Sequence, residues 1–415
     1  MTWRRSSAVL GLVLAALFLG PSTLRATGNL ETVTQSGSAI ASVAWDSSLI
    51  PIPWYFNNPS TVSGCSYNSP NAPASALQPA IAAAFATWQA NPLSTQSYTY
   101  AGTTTVRNVG ADGLNVVTFC DLVVLGSDQG YLARTPTTAL TQQMTVTAGG
   151  GCPSGQGLLD LNGPPNPPGF CFPVGTYPAG TIVDSDVEYN TYSTNEQDFS
   201  TNHTAGTYDI QALTTHELGH FIGLSHDPLS DSVMYAYADD EPPSDGVGQR
   251  VLKEPDLTTA GRYYPSAQFQ ADRGSITGII TLDGARADGV HVVAIDPNTL
   301  RGVSGRFSVS RFEDSTILYG PEGADFAANG AGHYRIDGLA PGAYYVYVEY
   351  FDGSEFWSDR LANHYNTTVG NSNVSNGSST SSGQVGGWLG FLPKLAEFYD
   401  SSESGNGGDG MNPGT

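Results

Sequence analysis

Apolar residues recur at helical spacing early in the chain: Leu77, Ile81, Phe85 and Trp88 fall three or four positions apart. The spacing predicts a helix that starts at Ser75, where Ser75 and Gln78 fit a capping box, and stops at Asn91-Pro92. Its stripe reads as core packing and not as a ligand site. Residues 50–56 (IPIPWYF) read as a strand, with further strands expected at 115–119 and 181–189. A second helix is expected from about Asp209 onward, and a third over 256–263.

The pattern changes after Tyr264-Pro265. Short strand-like runs recur at 275–282, 290–295, 305–310, 334–336 and 344–350, separated by turn residues. That is the signature of a small all-β sandwich. Residues 371–386 are rich in Ser, Gly and Asn and read as a flexible linker, followed by a short apolar patch from Trp388.

Composition narrows the class. Of 415 residues, 40% are hydrophobic and only 13% charged, with 49 Gly and 26 Pro, a mix that suits a turn-rich, β-rich exported protein with a sizeable core. The net charge of -22 repels phosphate backbones, so no nucleic-acid partner is expected. The same acidity is compatible with Ca²⁺ binding. Arg4 and Arg5, the apolar run 8–20 and the small residue Ala26 read as a signal peptide. No later stretch suits a membrane span, so a secreted, extracellular protein is expected. Four cysteines in an exported chain favour two disulfides. Cys152 and Cys171 bracket a Pro/Gly-rich loop and are the favoured pair, leaving Cys65 with Cys120. Zinc binding by these thiols is the alternative, although no C-x-x-C pair exists.

The chemistry concentrates in Thr215-His216-Glu217-Leu218-Gly219-His220-Phe221-Ile222-Gly223-Leu224-Ser225-His226-Asp227. On a helix, His216 and His220 project from one face one turn apart, and can share a Zn²⁺. Glu217 lies beside them as a base. Gly223 can take positive φ and end the helix, so that the chain turns back and brings His226 to the metal. Three protein ligands leave one position open, as a catalytic zinc requires. Eight residues beyond His226 comes Met234, in Ser232-Val233-Met234-Tyr235. H-E-x-x-H alone is a moderate signal; the extended pattern with a following methionine turn is far more specific.

Over residues 45 to 265 the sequence resembles the metzincins, and most closely the matrixins. The stretches that carry the likeness are IPIPWYF, the helix ending in Trp88, IVDSDVEYN, HELGHFIGLSH, SVMY and LKEPDLTTAGRYYP. The resemblance implies an α+β catalytic domain with a twisted, mostly parallel sheet, and a zinc endopeptidase acting on protein or peptide substrates. It also implies that Asp256 hydrogen-bonds under the Met234 turn. Matrixins carry two adjacent aspartates there, whereas Pro255 occupies the first position here. No histidine precedes His203, so the family's second, structural zinc is not expected. The P-R-C-G latency motif is missing too. Asp227 is a feature of the adamalysin branch, which stays open as an alternative, as does a non-catalytic metal-binding adhesin.

Residues 275–296 and 332–350 resemble carboxypeptidase-regulatory-like or prealbumin-like sandwiches. The expected division is a signal peptide at 1–26, a matrixin-like domain at 27–268, a β-sandwich at 271–352 that could bind a surface or large substrate, and a tail at 353–415. Asp184 and Asp186 are candidates for Ca²⁺ in a neighbouring loop, or plain solvated carboxylates. His203, His291, His333 and His364 read as surface or structural residues.

Overall fold

A computed structural model describes residues 32–35, 38–65, 67–107, 109–120, 132–140, 142–161, 169–191, 199–224, 227, 229, 231–235, 238, 248–282, 285–286, 291–307 and 333–349. The expected signal peptide, the linker at 371–386 and the tail lie outside the described residues, and so does His226.

Five strands form the sheet that organises the N-terminal region: β1 (Ile52–Asn57), β2 (Tyr98–Thr103), β3 (Val116–Thr118), β4 (Ala133–Arg134) and β5 (Val187–Tyr189). Their order is β2-β1-β3-β5-β4. All pairings are parallel except that of β4 with β5 at one edge. There Arg134 stands opposite Glu188, and its Nε donates to the Glu188 carboxylate at 2.5 Å. Alternation along β1 buries Ile52, Trp54 and Phe56. Trp54 stacks on Phe85 of helix α1 (Ala74–Gln89) at 4.3 Å.

The apolar stripe of α1 is buried as its spacing predicts: Leu77, Ile81, Phe85 and Trp88 are all in the core. The capping box is a misreading. Pro73 occupies the N-cap in an extended conformation and makes no side-chain cap bond, which places Ser75 inside the first turn. Proline's fixed φ suits a helix entry, so it starts the helix ahead of the serine. The single strand expected at 181–189 is two short ones, Ile182–Ser185 and Val187–Tyr189, which pair with different partners.

Between β4 and β5 the chain folds into two-stranded pieces around a small core of Leu140, Val146, Leu159, Phe172, Tyr177 and Val183. A disulfide joins Cys152 to Cys171 there, and another joins Cys65 to Cys120 at the end of β3. Helix α2 (Ile210–Phe221) packs against both α1 and the sheet, with its aromatic end in the main core. Helices α3 (Glu254–Tyr263) and α4 (Ala267–Asp272) follow. Few helices among many strands are compatible with the α+β class.

The C-terminal region contributes β6 (Gly274–Ile279), β7 (His291–Ile295), β8 (Gly302–Phe307), β9 (His333–Leu339) and β10 (Tyr345–Glu349). They form a three-stranded antiparallel sheet, β8-β7-β10, and an antiparallel pair, β6-β9. Val292, Ala294, Tyr334, Ile336 and Leu339 form a common core between them. This region rests on α3. Asp337 accepts from Arg262 of α3 at 3.2 Å and from Arg335 at 2.6 Å, and all three are buried. Gly338 lies so close to Thr258 that a Cβ there would fall 2.3 Å from its methyl group. Among the described residues no helix is long and apolar enough to cross a membrane.

Candidate metal centre

Helix α2 begins where the sequence supplies a strong N-cap. Asp209 accepts from the Ala212 N–H at 2.9 Å. Arg250 clamps the same carboxylate through Nε at 2.8 Å and Nη2 at 2.5 Å. Burial pushes Asp209 up, but the Arg250 bonds outweigh it and hold the group below its ordinary value. The far end of α2 is fixed by residues distant in sequence. Trp88 Nε1 donates to the Thr215 carbonyl at 2.7 Å, and Trp45 Nε1 to the Phe221 carbonyl at 2.8 Å. The Tyr264 hydroxyl donates to the Ile222 carbonyl at 2.8 Å. The Phe221 and Ile222 carbonyls are among those that helical geometry leaves without partners at a C-terminus, whereas the Thr215 carbonyl lies mid-helix.

Gly223 ends the helix at φ 92°, and a Cβ on it would stand 2.1 Å from the Val43 carbonyl oxygen. Only glycine fits both demands. Gly219 is constrained from another side, since its Cβ would fall 2.0 Å from Met234 Sδ. The methionine therefore packs directly against the helix between the two histidines.

His216 and His220 lie with ring centroids 5.0 Å apart and planes at 80°. The Nδ1–H of His216 donates to the Val233 carbonyl at 2.7 Å, and that of His220 to the Leu224 carbonyl at 2.8 Å. A proton fixed on Nδ1 puts the lone pair on Nε2, the tautomer a metal needs. The Val233 that accepts from His216 is itself held by Asp256. The Asp256 carboxylate accepts from the Val233 N–H at 3.1 Å, the Ser232 hydroxyl at 2.6 Å and the Lys253 N–H at 2.9 Å. One carboxylate on α3 thus orients one imidazole on α2 through a single residue of the turn. Burial raises Asp256 to about 6 against the pull of its three donors.

Glu217 sits on the same helix and is buried, and burial raises it to about 7. The opposing influence is a hydrogen bond from the Thr135 hydroxyl. No group of three potential metal ligands occurs among the described residues, which do not include His226. The two imidazoles present fit Zn²⁺ by donor chemistry, each with its second nitrogen tied to a backbone carbonyl.

Residues 170–258 match the family model for matrixins, a family of zinc-dependent metallopeptidases. The chain carries a matrixin-like domain. The matched span runs through α2 and the Met234 turn into α3. At the family level the match supports a metallopeptidase and suggests peptide or protein substrates. No curated protein matches the chain.

Within the matrixin-like domain, Asp184 and Asp186 are not solvated carboxylates. Both are buried. Asp184 accepts from the N–H groups of Asp112 (3.1 Å) and Gly113 (2.6 Å), and Asp186 from those of Gly110 and Val116 (both 2.7 Å). The pair grips the loop that leads into β3. Burial raises both groups, with the Asp112 charge adding to the rise of Asp184 and the Asp184 charge to that of Asp186.

Sequence reading passed over Thr135, Ser232, Trp45 and Arg250. Arg250 and Trp45 act across 41 and 176 positions, distances at which spacing carries no signal. The second helix, expected from about Asp209, has Asp209 as its N-cap.

Proposed function

We propose that the chain is an exported zinc-dependent endopeptidase in which His216, His220 and His226 hold one catalytic Zn²⁺ and Glu217 is the general base. The observation that carries this reading is the pair of imidazoles one helical turn apart, each with Nδ1–H on a backbone carbonyl, beside a buried carboxylate. Bound there, Zn²⁺ supplies a Lewis acid that makes water acidic and polarises a carbonyl. Glu217, buried beside the two imidazoles, is placed to accept a proton from water and to return it to the leaving amine. Met234 supports the floor of the site, Gly223 turns the chain toward the third histidine, and Asp256 holds the Met234 turn.

The catalytic unit in this reading is 27–268, preceded by a signal peptide at 1–26. Residues 271–352 form a β-sandwich module that engages a surface or a large substrate, and 353–415 are a tail. The two disulfides support an extracellular location.

The test is metal analysis of the purified protein together with cleavage of an unstructured peptide. About one zinc per chain is expected, with cleavage lost on chelation and restored by Zn²⁺. Full cleavage after complete removal of metal would end the reading.

A further inference from the structure

Thr135 follows directly on β4, the antiparallel edge of the sheet, and is 82 positions from the residue it bonds. Its Oγ1 lies 2.5 Å from Glu217 Oε2 and 3.2 Å from the Glu217 carbonyl oxygen. A threonine hydroxyl carries one proton and two lone pairs and turns to suit its partners. Its β-branched side chain is stiff at χ1, so the oxygen is held in place while the proton stays free to swing.

We propose that Thr135 is a positioning residue for Glu217, whose hydroxyl holds Oε2 and leaves Oε1 as the oxygen that exchanges the proton. The inference rests on the reading of Glu217 as the base. The Thr135 proton points to Oε2, which goes on accepting it, more weakly, when Oε1 carries a proton, so the carboxyl group stays in place through both halves of the reaction. A lysine or arginine at position 135 would hold the carboxylate ionised and oppose the transfer. A hydroxyl does so much less, because it brings no charge. A glutamate side chain has three rotatable bonds, so without this contact the base would spend part of its time out of register with the water it must reach.

The experiment compares Thr135→Val, which keeps the shape and removes the hydroxyl, with Thr135→Ser, which keeps the hydroxyl. Thr135→Ala is carried in parallel in case the valine crowds the half-buried site. In the zinc-loaded full chain, Thr135→Val should lower kcat by about 10- to 100-fold, the size expected for a hydrogen bond to a charged group. KM should change less than about twofold, zinc content should hold, and Thr135→Ser should restore most of the rate. A second readout needs neither metal nor turnover. In the metal-free full chain, the unfolding constants of Thr135→Val, Glu217→Ala and the double variant should depart from additivity by about 10-fold. Wild-type turnover in Thr135→Val, or a serine variant as impaired as the valine, would overturn the assignment. Additive unfolding would overturn it as well. If the wild-type chain hydrolyses nothing, the peptidase reading fails, while the unfolding cycle still decides whether Thr135 grips Glu217.

Discussion

The surroundings of α2 and the C-terminal strands are held in different ways. Around α2, single side chains from distant parts of the sequence reach backbone groups. Trp45, Trp88 and Tyr264 each donate to a different carbonyl of the helix or its end, and Asp209 with Arg250 closes its start. In the C-terminal region the strands are held by regular ladders and a small apolar core. That region meets the rest through a few contacts: Asp337 with Arg262, Arg273 with Glu254, Gly338 against Thr258 and Gly302 against Leu229. Most of these contacts fall on α3, the helix whose Asp256 holds the Met234 turn. The histidine geometry therefore belongs mainly to the N-terminal region, and among the described residues the C-terminal strands reach it through α3 and through Leu229 and Asp231 of the segment before the Met234 turn.

Removing the inner support should have the largest effect. Asp256→Ala leaves the Ser232 hydroxyl and the Val233 and Lys253 N–H groups buried without their acceptor, at a cost of about 3–5 kcal/mol. The Val233 carbonyl that orients His216 then loosens, so zinc affinity should fall about 10- to 100-fold. Thermal unfolding of the metal-free chain and zinc titration measure the two effects. A change no larger than that of a surface substitution would break the contrast drawn above.

Removing the outer support should do less. A chain ending after Asp272 keeps α4 and loses β6 to β10. It exposes Phe269 and strips Asp337 from Arg262, which regains water as it does so. About 1–3 kcal/mol of stability should be lost, while zinc binding and cleavage of short peptides persist. Loss of zinc binding in that chain would make the C-terminal strands part of the inner support.

A third test concerns the buried carboxylate pair. Asp184 and Asp186 have folded values above the ordinary 3.8, so their favourable contribution is complete below about pH 4 and is lost as pH rises through about 7 for Asp184 and about 9 for Asp186. Asp184→Asn keeps an oxygen for the Gly113 and Asp112 N–H groups and offers Asp186 a fixed donor. Melting curves against pH should show the variant matching the wild type in acid and exceeding it by about 1–2 kcal/mol near pH 8. A variant less stable at every pH would mean the pair is not short of a proton. The smallest effect is expected at Arg301, whose 3.3 Å bond to Asp231 is largely solvent-exposed. Arg301→Ala should change stability by less than about 0.5 kcal/mol.

Much of this arrangement is readable along the chain. The stripe Leu77, Ile81, Phe85 and Trp88 announces α1 and its buried face, because helical spacing is local. His216, Glu217, His220, Gly223 and Met234 are readable for the same reason, since a helix and a turn bring near neighbours together. The start of α1 was misplaced because Pro73 enters the helix by its fixed φ, with no cap bond to read. The burial of Asp184 and Asp186 and the contact of Thr135 with Glu217 were not legible. Both arise from strand pairings across tens of residues, where spacing along the chain says nothing about which side chains meet.

The central claim, that Glu217 supplies the base and the histidines hold the metal, is tested most directly by Glu217→Ala in the full chain, with zinc content and peptide hydrolysis measured on the same sample. The account predicts bound zinc at the wild-type level and hydrolysis lower by several orders of magnitude. Wild-type hydrolysis in the variant at full zinc content would contradict it.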